Sequence, residues 1–203
     1  MYLMKLLVAV PCFNEEEVIV NCLEALEKIN LADKLNFEIL VVNDGSKDSS
    51  FKKIINYAVT SKTKINILNS SKNYGLSEVF NSTLNFAERQ NFDYLIIFDA
   101  DLQYPHQQIK DMFNFAINKD IDLLIGVRNF HKVEHFTLIK KVLQIFGSFV
   151  VSFFAGYKIS DVTSGFRVYS KAAITELRST NDFTYTIETI FQAKHLNLKV
   201  EVR

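Results

Sequence analysis

The chain has 203 residues, 48% of them hydrophobic, with 23 acidic and 23 basic side chains, so it can bury one substantial core and carries no uniform basic field for nucleic acid. Two cysteines, Cys12 and Cys22, suit reduced core thiols in a cytosolic setting better than a disulfide framework. Met1 to Val10 is apolar but too short for a secretory signal, and Pro11 follows at once, so it reads as a first strand.

Five near-continuous apolar runs have strand length: Lys5 to Val10, Phe37 to Val42, Lys64 to Leu68, Tyr94 to Phe98 and Asp122 to Val127. Runs without alternation predict strands buried on both faces. Between them, four segments repeat apolar residues at helical spacing: Ile19, Cys22, Leu23, Leu26 and Ile29; Phe51, Ile54, Ile55 and Ala58; Leu76, Val79, Phe80, Thr83, Leu84 and Ala87; Ile109, Met112, Phe113, Ala116 and Ile117. Strands alternating with helices predict an α/β fold with a mainly parallel sheet, whose ligand site lies beyond the carboxyl ends of the strands.

The loops after those strands carry the polar segments. Pro11-Cys12-Phe13-Asn14-Glu15-Glu16 ends the first strand, with Asn14 suited to cap the next helix. Asn43-Asp44-Gly45-Ser46-Lys47-Asp48-Ser49 combines a turn with a cap at Asp48 or Ser49, and Asp44 could accept hydrogen bonds from a nucleobase. Lys72-Asn73-Tyr74-Gly75 leads into the third helix, where a phosphate is physically reasonable, but no Walker or dinucleotide glycine pattern is present.

The fourth loop, Asp99-Ala100-Asp101-Leu102-Gln103, is the most informative. Two carboxylates one residue apart at the mouth of a buried strand suit a hard divalent cation, magnesium or manganese, held over substrate phosphates, and Gln103 adds a neutral oxygen. A turn beginning at Ala100 is needed to bring both carboxylates to one ion. Arg128 ends the fifth strand and could clamp a phosphate, and Ser160 to Arg167 forms a second polar cluster in which Asp161 and Arg167 could pair or simply form a turn.

Taken in order, PCFNEE, VVNDGSKDS, NYGLSEV, DADLQYP, GVRNF and SDVTSGFRVYS resemble the inverting glycosyltransferases of family 2, over about residues 4 to 202. Among these the similarity is greatest to the polyprenyl-phosphate sugar synthases typified by the dolichol-phosphate mannosyltransferases. The resemblance implies a single GT-A (nucleotide-diphospho-sugar transferase) domain over 1–203. It implies that Pro11, Phe13, Asn14, Glu15, Asp44, Lys72, Gly75, Asp99, Ala100, Asp101 and Gln103 bind a nucleotide-diphosphate sugar, with Asp99, Asp101 and Gln103 around Mg2+ or Mn2+. Asp101, Arg128 and Arg167 are then catalytic candidates, the arginines meeting donor or acceptor phosphates, with Asp161 or Glu188 as base if the acceptor is a hydroxyl. Asn43 departs from the family's double aspartate, which leaves the base contact to Asp44.

The implied acceptor is a polyprenyl (dolichyl or undecaprenyl) phosphate, and the implied location is peripheral, on the cytoplasmic face of a membrane. A sugar hydroxyl acceptor, a nucleotidyltransferase and a non-catalytic sugar-nucleotide-binding module are the alternatives, and homo-oligomerisation is left open. Leu138 to Phe154 is the most apolar stretch, short of the roughly 20 residues that span a bilayer, so an interfacial or packing helix is expected over about 137–157. Lys199 to Arg203 reads as an unfinished strand and tail, which leaves open whether the chain continues past Arg203.

Overall fold

Strands and helices alternate along the chain, as the apolar runs predict. The structure, a computed structural model, describes residues 3–29, 35–127, 151–152, 156–157, 161–180 and 184–203. In chain order these are β1 (Met4–Cys12), α1 (Ile19–Glu27), β2 (Leu35–Asn43), α2 (Ser50–Thr60), β3 (Lys64–Asn69), α3 (Leu76–Arg89), β4 (Tyr94–Ile97), α4 (Gln108–Lys119), β5 (Leu123–Ile125), β6 (Arg167–Ser170), α5 (Lys171–Glu176), α6 (Tyr185–His195) and β7 (Val200–Val202).

The seven strands form one sheet in the order β3-β2-β1-β4-β6-β5-β7. β1 pairs in parallel with β2 on one side and β4 on the other, and β2 pairs in parallel with β3. β6 runs antiparallel between β4 and β5, and β7 closes the edge parallel to β5. The sheet is therefore mainly parallel, with one reversed strand that the sequence pattern did not predict. The five predicted strands are all present, and the predicted terminal strand is β7.

Burial on both faces explains the unbroken apolar runs. Leu6, Leu7, Val8, Ala9 and Val10 of β1 have no exposed surface. Leu6, Val8 and Val10 pack into one layer with Leu23 and Leu26 of α1 and Ile109 and Phe113 of α4, while Leu7 and Ala9 pack into the other with Phe80 and Leu84 of α3 and Ile190 of α6. Full burial of each large aliphatic contributes about 1.5–3 kcal/mol. The predicted apolar face of α2 is the exception. Of its four apolar residues only Ile54 is buried, because α2 covers the edge of the sheet, where β3 is itself only partly covered.

The chain adds β2 and β3 on one side of β1 and then crosses to place β4 on the other. This reversal opens a crevice beyond the carboxyl ends of β1 and β4. The crevice is where the loops after β1 and β4 meet.

The predicted helix over about 137–157 lies almost wholly outside the described residues, as does Arg128. Of that stretch, Val151 packs against the layer containing α3 and α6, and the Gly156 N–H donates to the Ser152 carbonyl at 2.9 Å. Among the described residues no helix is long and apolar enough to cross a membrane.

Candidate active site

A cleft of about 380 Å³ opens at the crevice. Pro11, Cys12, Phe13 and Glu15 after β1 form one wall, Asp44 after β2 and Asn73, Gly75, Leu76 and Val79 around the start of α3 form another, and Asp99, Ala100 and Asp101 after β4 form the third. Four of these side chains are carboxylic acids, and among the described residues that line the cleft none is a lysine, arginine or histidine. The Glu15 carboxyl is raised above its ordinary pKa, first by burial and then by the nearby charges of Asp101 and Asp48.

The walls are held by bonds between loops. Lys47 N–H donates to Asn14 Oδ1 at 2.8 Å, and Asn14 N–H donates to Ser46 Oγ at 3.0 Å. Glu15 N–H reaches Ser50 Oγ, Glu16 N–H reaches Asp48 Oδ2, and Ser49 N–H returns to Glu16 Oε2. Asn14 has φ 56°, a left-handed conformation that asparagine tolerates. It is therefore not the cap of α1, as the sequence suggested. Its side chain joins the first loop to the second, and Asp48 Oδ1 accepts the Ser50 N–H in a local turn.

Asp44 is buried, and its two carboxylate oxygens accept the Tyr74 and Gly75 N–H groups at 2.8 and 2.9 Å. Gly45 beside it has φ 69°, and a Cβ there would stand 2.3 Å from the Lys72 carbonyl carbon. Glycine is thus required twice over, by conformation and by the approach of the third loop. Lys72 points its ammonium over the Tyr74 ring, 4.9 Å from the centroid, and is not among the lining residues.

After β4 the turn expected at Ala100 is present. Leu102 has φ 56°, uncommon for a bulky residue, and the Gln103 N–H donates to Asp101 Oδ1 at 3.0 Å. Asp99 and Asp101 both line the cleft, whereas Gln103 is exposed and does not. Among the described residues no three His, Cys, Asp or Glu side chains converge to hold a metal unaided. Two carboxylates in an acidic cleft nevertheless fit a hard divalent ion whose remaining positions go to water and phosphate oxygens.

Three expected catalytic residues sit elsewhere. Arg167 is fully buried: its Nε donates to the Ser164 carbonyl at 2.8 Å, one terminal nitrogen to the Thr186 carbonyl and Thr189 Oγ1, and the other to the Val162 carbonyl. A guanidinium so enclosed does not meet a substrate phosphate. Asp161 is also fully buried and accepts from Thr163 Oγ1 at 3.0 Å. Glu188 accepts from Ser179 Oγ and from the Thr180 N–H and hydroxyl, fixing the segment before α6. Neither acid lines the cleft.

The lining residues Cys12, Asn73, Leu76 and Val79 were not singled out as site residues. Their signal was position alone, since each lies at the strand-to-helix edge that carries the other loops.

Set beside known proteins, residues 7–178 match the sequence model described as Glycosyl transferase family 2. The chain belongs to glycosyl transferase family 2. Its relatives include a UDP-N-acetylglucosamine–dolichyl-phosphate N-acetylglucosaminyltransferase of Methanococcus voltae, 27% identical over 83% of this chain and 70% of the relative. They also include a dolichol-phosphate mannosyltransferase of Pyrococcus furiosus, 31% identical over 84% of this chain but only 47% of that enzyme.

Two solved structures share the fold. The mannosyltransferase PcManGT of Pyrobaculum calidifontis, solved with GDP-Man and Mn2+, has a TM-score of 0.70 at 15% identity, over 100% of this chain and 55% of that one. TarS 1-349 of S. aureus, solved with UDP, has a TM-score of 0.64 at 22% identity, over 98% and 58% respectively. The architecture of this family 2 glycosyltransferase is therefore GT-A, and the chain spans little more than half of either solved neighbour.

Proposed function

We propose that this family 2 chain transfers a sugar from a nucleoside-diphosphate sugar to a polyprenyl phosphate at a cytoplasmic membrane surface. The observation that carries the reading is the cleft itself, lined by Glu15, Asp44, Asp99 and Asp101 with no lining cation among the described residues. An anionic diphosphate is repelled by such a wall unless a cation stands between, and the paired carboxylates Asp99 and Asp101 are where Mg2+ or Mn2+ fits best. That ion, when bound, would neutralise charge on the departing nucleoside diphosphate. Exposed Phe13 at the cleft wall offers a ring for the base to stack on, and the lone pairs of Asp44 not used by Tyr74 and Gly75 remain for its N–H groups.

The acceptor follows from proton accounting. In the transfer an acceptor oxygen attacks the anomeric carbon as its bond to the diphosphate breaks, and a hydroxyl acceptor must lose a proton to a base. A phosphate monoester, with its second pKa near about 6, is already ionised at neutral pH and needs none. Asp161 and Glu188, the two candidates for a base, are not among the residues that line the cleft and are engaged in local hydrogen bonds, which supports an acceptor that needs neither. The Methanococcus voltae dolichyl-phosphate N-acetylglucosaminyltransferase and the Pyrococcus furiosus dolichol-phosphate mannosyltransferase, both relatives of this chain, point the same way.

The test incubates the protein and Mn2+ or Mg2+ with UDP- and GDP-sugars, with and without polyprenyl phosphate, and follows nucleoside diphosphate release. Release that depends on the lipid phosphate and falls at least about 100-fold in Asp101→Asn supports the reading. No release with any donor overturns it, and release stimulated only by sugar hydroxyls replaces the acceptor.

A further inference from the structure

The segment Ser164 to Arg167 meets the aspartate turn at several points. The Phe166 ring contacts Phe98 edge-on, with centroids 5.6 Å apart, and Tyr104 at 5.0 Å, so it bridges the residues that flank the turn. The buried hydroxyls of Tyr104 and Ser164 are 2.7 Å apart. At Gly165 a Cβ would stand 3.0 and 3.1 Å from the two carboxylate oxygens of Asp99. Behind the segment, Arg167 Nε holds the Ser164 carbonyl, and the pairing of Arg167 with Ile97 fixes its register against β4.

We propose that Ser164, Gly165 and Arg167 form a positioning brace that sets the Asp99 carboxylate for a divalent cation, and that Gly165 is glycine because a Cβ there would press on that carboxylate and displace it by a few tenths of an ångström. The proposal rests on the reading of Asp99 and Asp101 as cation ligands. A metal site tolerates displacements of only about 0.5 Å before affinity suffers. The turn needs such support because Leu102 lies in left-handed backbone, a conformation that persists only where its surroundings over-determine it. Gly165 itself is not among the glycines with positive φ, so alanine there meets no backbone penalty and acts only by pressing on Asp99.

The brace is tested with Gly165→Ala and, as a variant that keeps the ring packing, Tyr104→Phe. Free Mn2+ is followed by electron paramagnetic resonance during titration in the presence of UDP and, separately, GDP, with thermal unfolding measured in parallel. Gly165→Ala is expected to weaken Mn2+ binding about 10-fold or more, as changes behind metal ligands do, with Tm within about 4 °C of wild type. Tyr104→Phe is expected to shift affinity in the same direction. Wild-type affinity in both variants overturns the brace alone, whereas a wild-type protein that binds no Mn2+ with either nucleotide overturns the cation reading beneath it.

Discussion

The carboxylate of Asp44 accepts the Gly75 N–H at 2.9 Å, and through this bond and its partner at Tyr74 the loop after β2 holds the loop after β3. Asp44→Asn keeps one acceptor and turns an amide NH2 toward the second N–H. Leaving a buried donor unpaired costs on the order of 1–3 kcal/mol. A lowered urea midpoint with weaker nucleotide binding is expected, and an unchanged midpoint contradicts this account of the loop.

A second cross-link predicts a pH dependence. Glu27 of α1 accepts from Ser61 Oγ, Tyr57 Oη and the Lys62 N–H. Burial pushes its carboxyl up, but the bonds from Ser61, Tyr57, Thr63 and Lys62 outweigh that and leave its pKa lowered. A lowered folded pKa means that this stabilisation is present above the ordinary value of 4.5 and is lost as pH falls through the folded value. Glu27→Gln is therefore expected to destabilise by about 1 kcal/mol at pH 7, with the difference closing in acid. A difference that stays constant from pH 7 to pH 3 contradicts the assignment.

Arg167 supplies a third prediction. Its guanidinium satisfies three carbonyls and a hydroxyl with no exposed surface. Arg167→Lys cannot reach all four acceptors, and a loss of about 2–4 kcal/mol is expected in urea unfolding. If the variant loses no stability, the buried fork is not what holds this segment.

β1, β2, β4 and β5 were legible in the sequence because their central residues are buried on both faces and leave apolar runs, whereas β3, only partly covered at the sheet edge, showed as a short run of strand length. β6 was not legible, since its four residues begin with arginine and end with serine and follow a polar cluster. Arg167 was misread because a charge satisfied by backbone carbonyls leaves the same letter as one that waits for a phosphate. Asn14 was misread for a related reason: its partner, Lys47, lies 33 residues away, and only the fold brings the loops together. The cleft lining was legible where position sufficed, since Pro11, Phe13, Glu15, Asp44, Gly75, Asp99, Ala100 and Asp101 all stand at the carboxyl edge of the sheet and all line the candidate site.

The most direct test of the acidic cleft is equilibrium binding of UDP and GDP by calorimetry, with and without Mn2+, to wild type and Asp101→Asn. The account predicts that Mn2+ tightens binding of at least one nucleotide about 100-fold, equivalent to about 2.7 kcal/mol, and that Asp101→Asn removes most of the gain. Binding that is equally tight without metal, or a gain that survives Asp101→Asn, contradicts it.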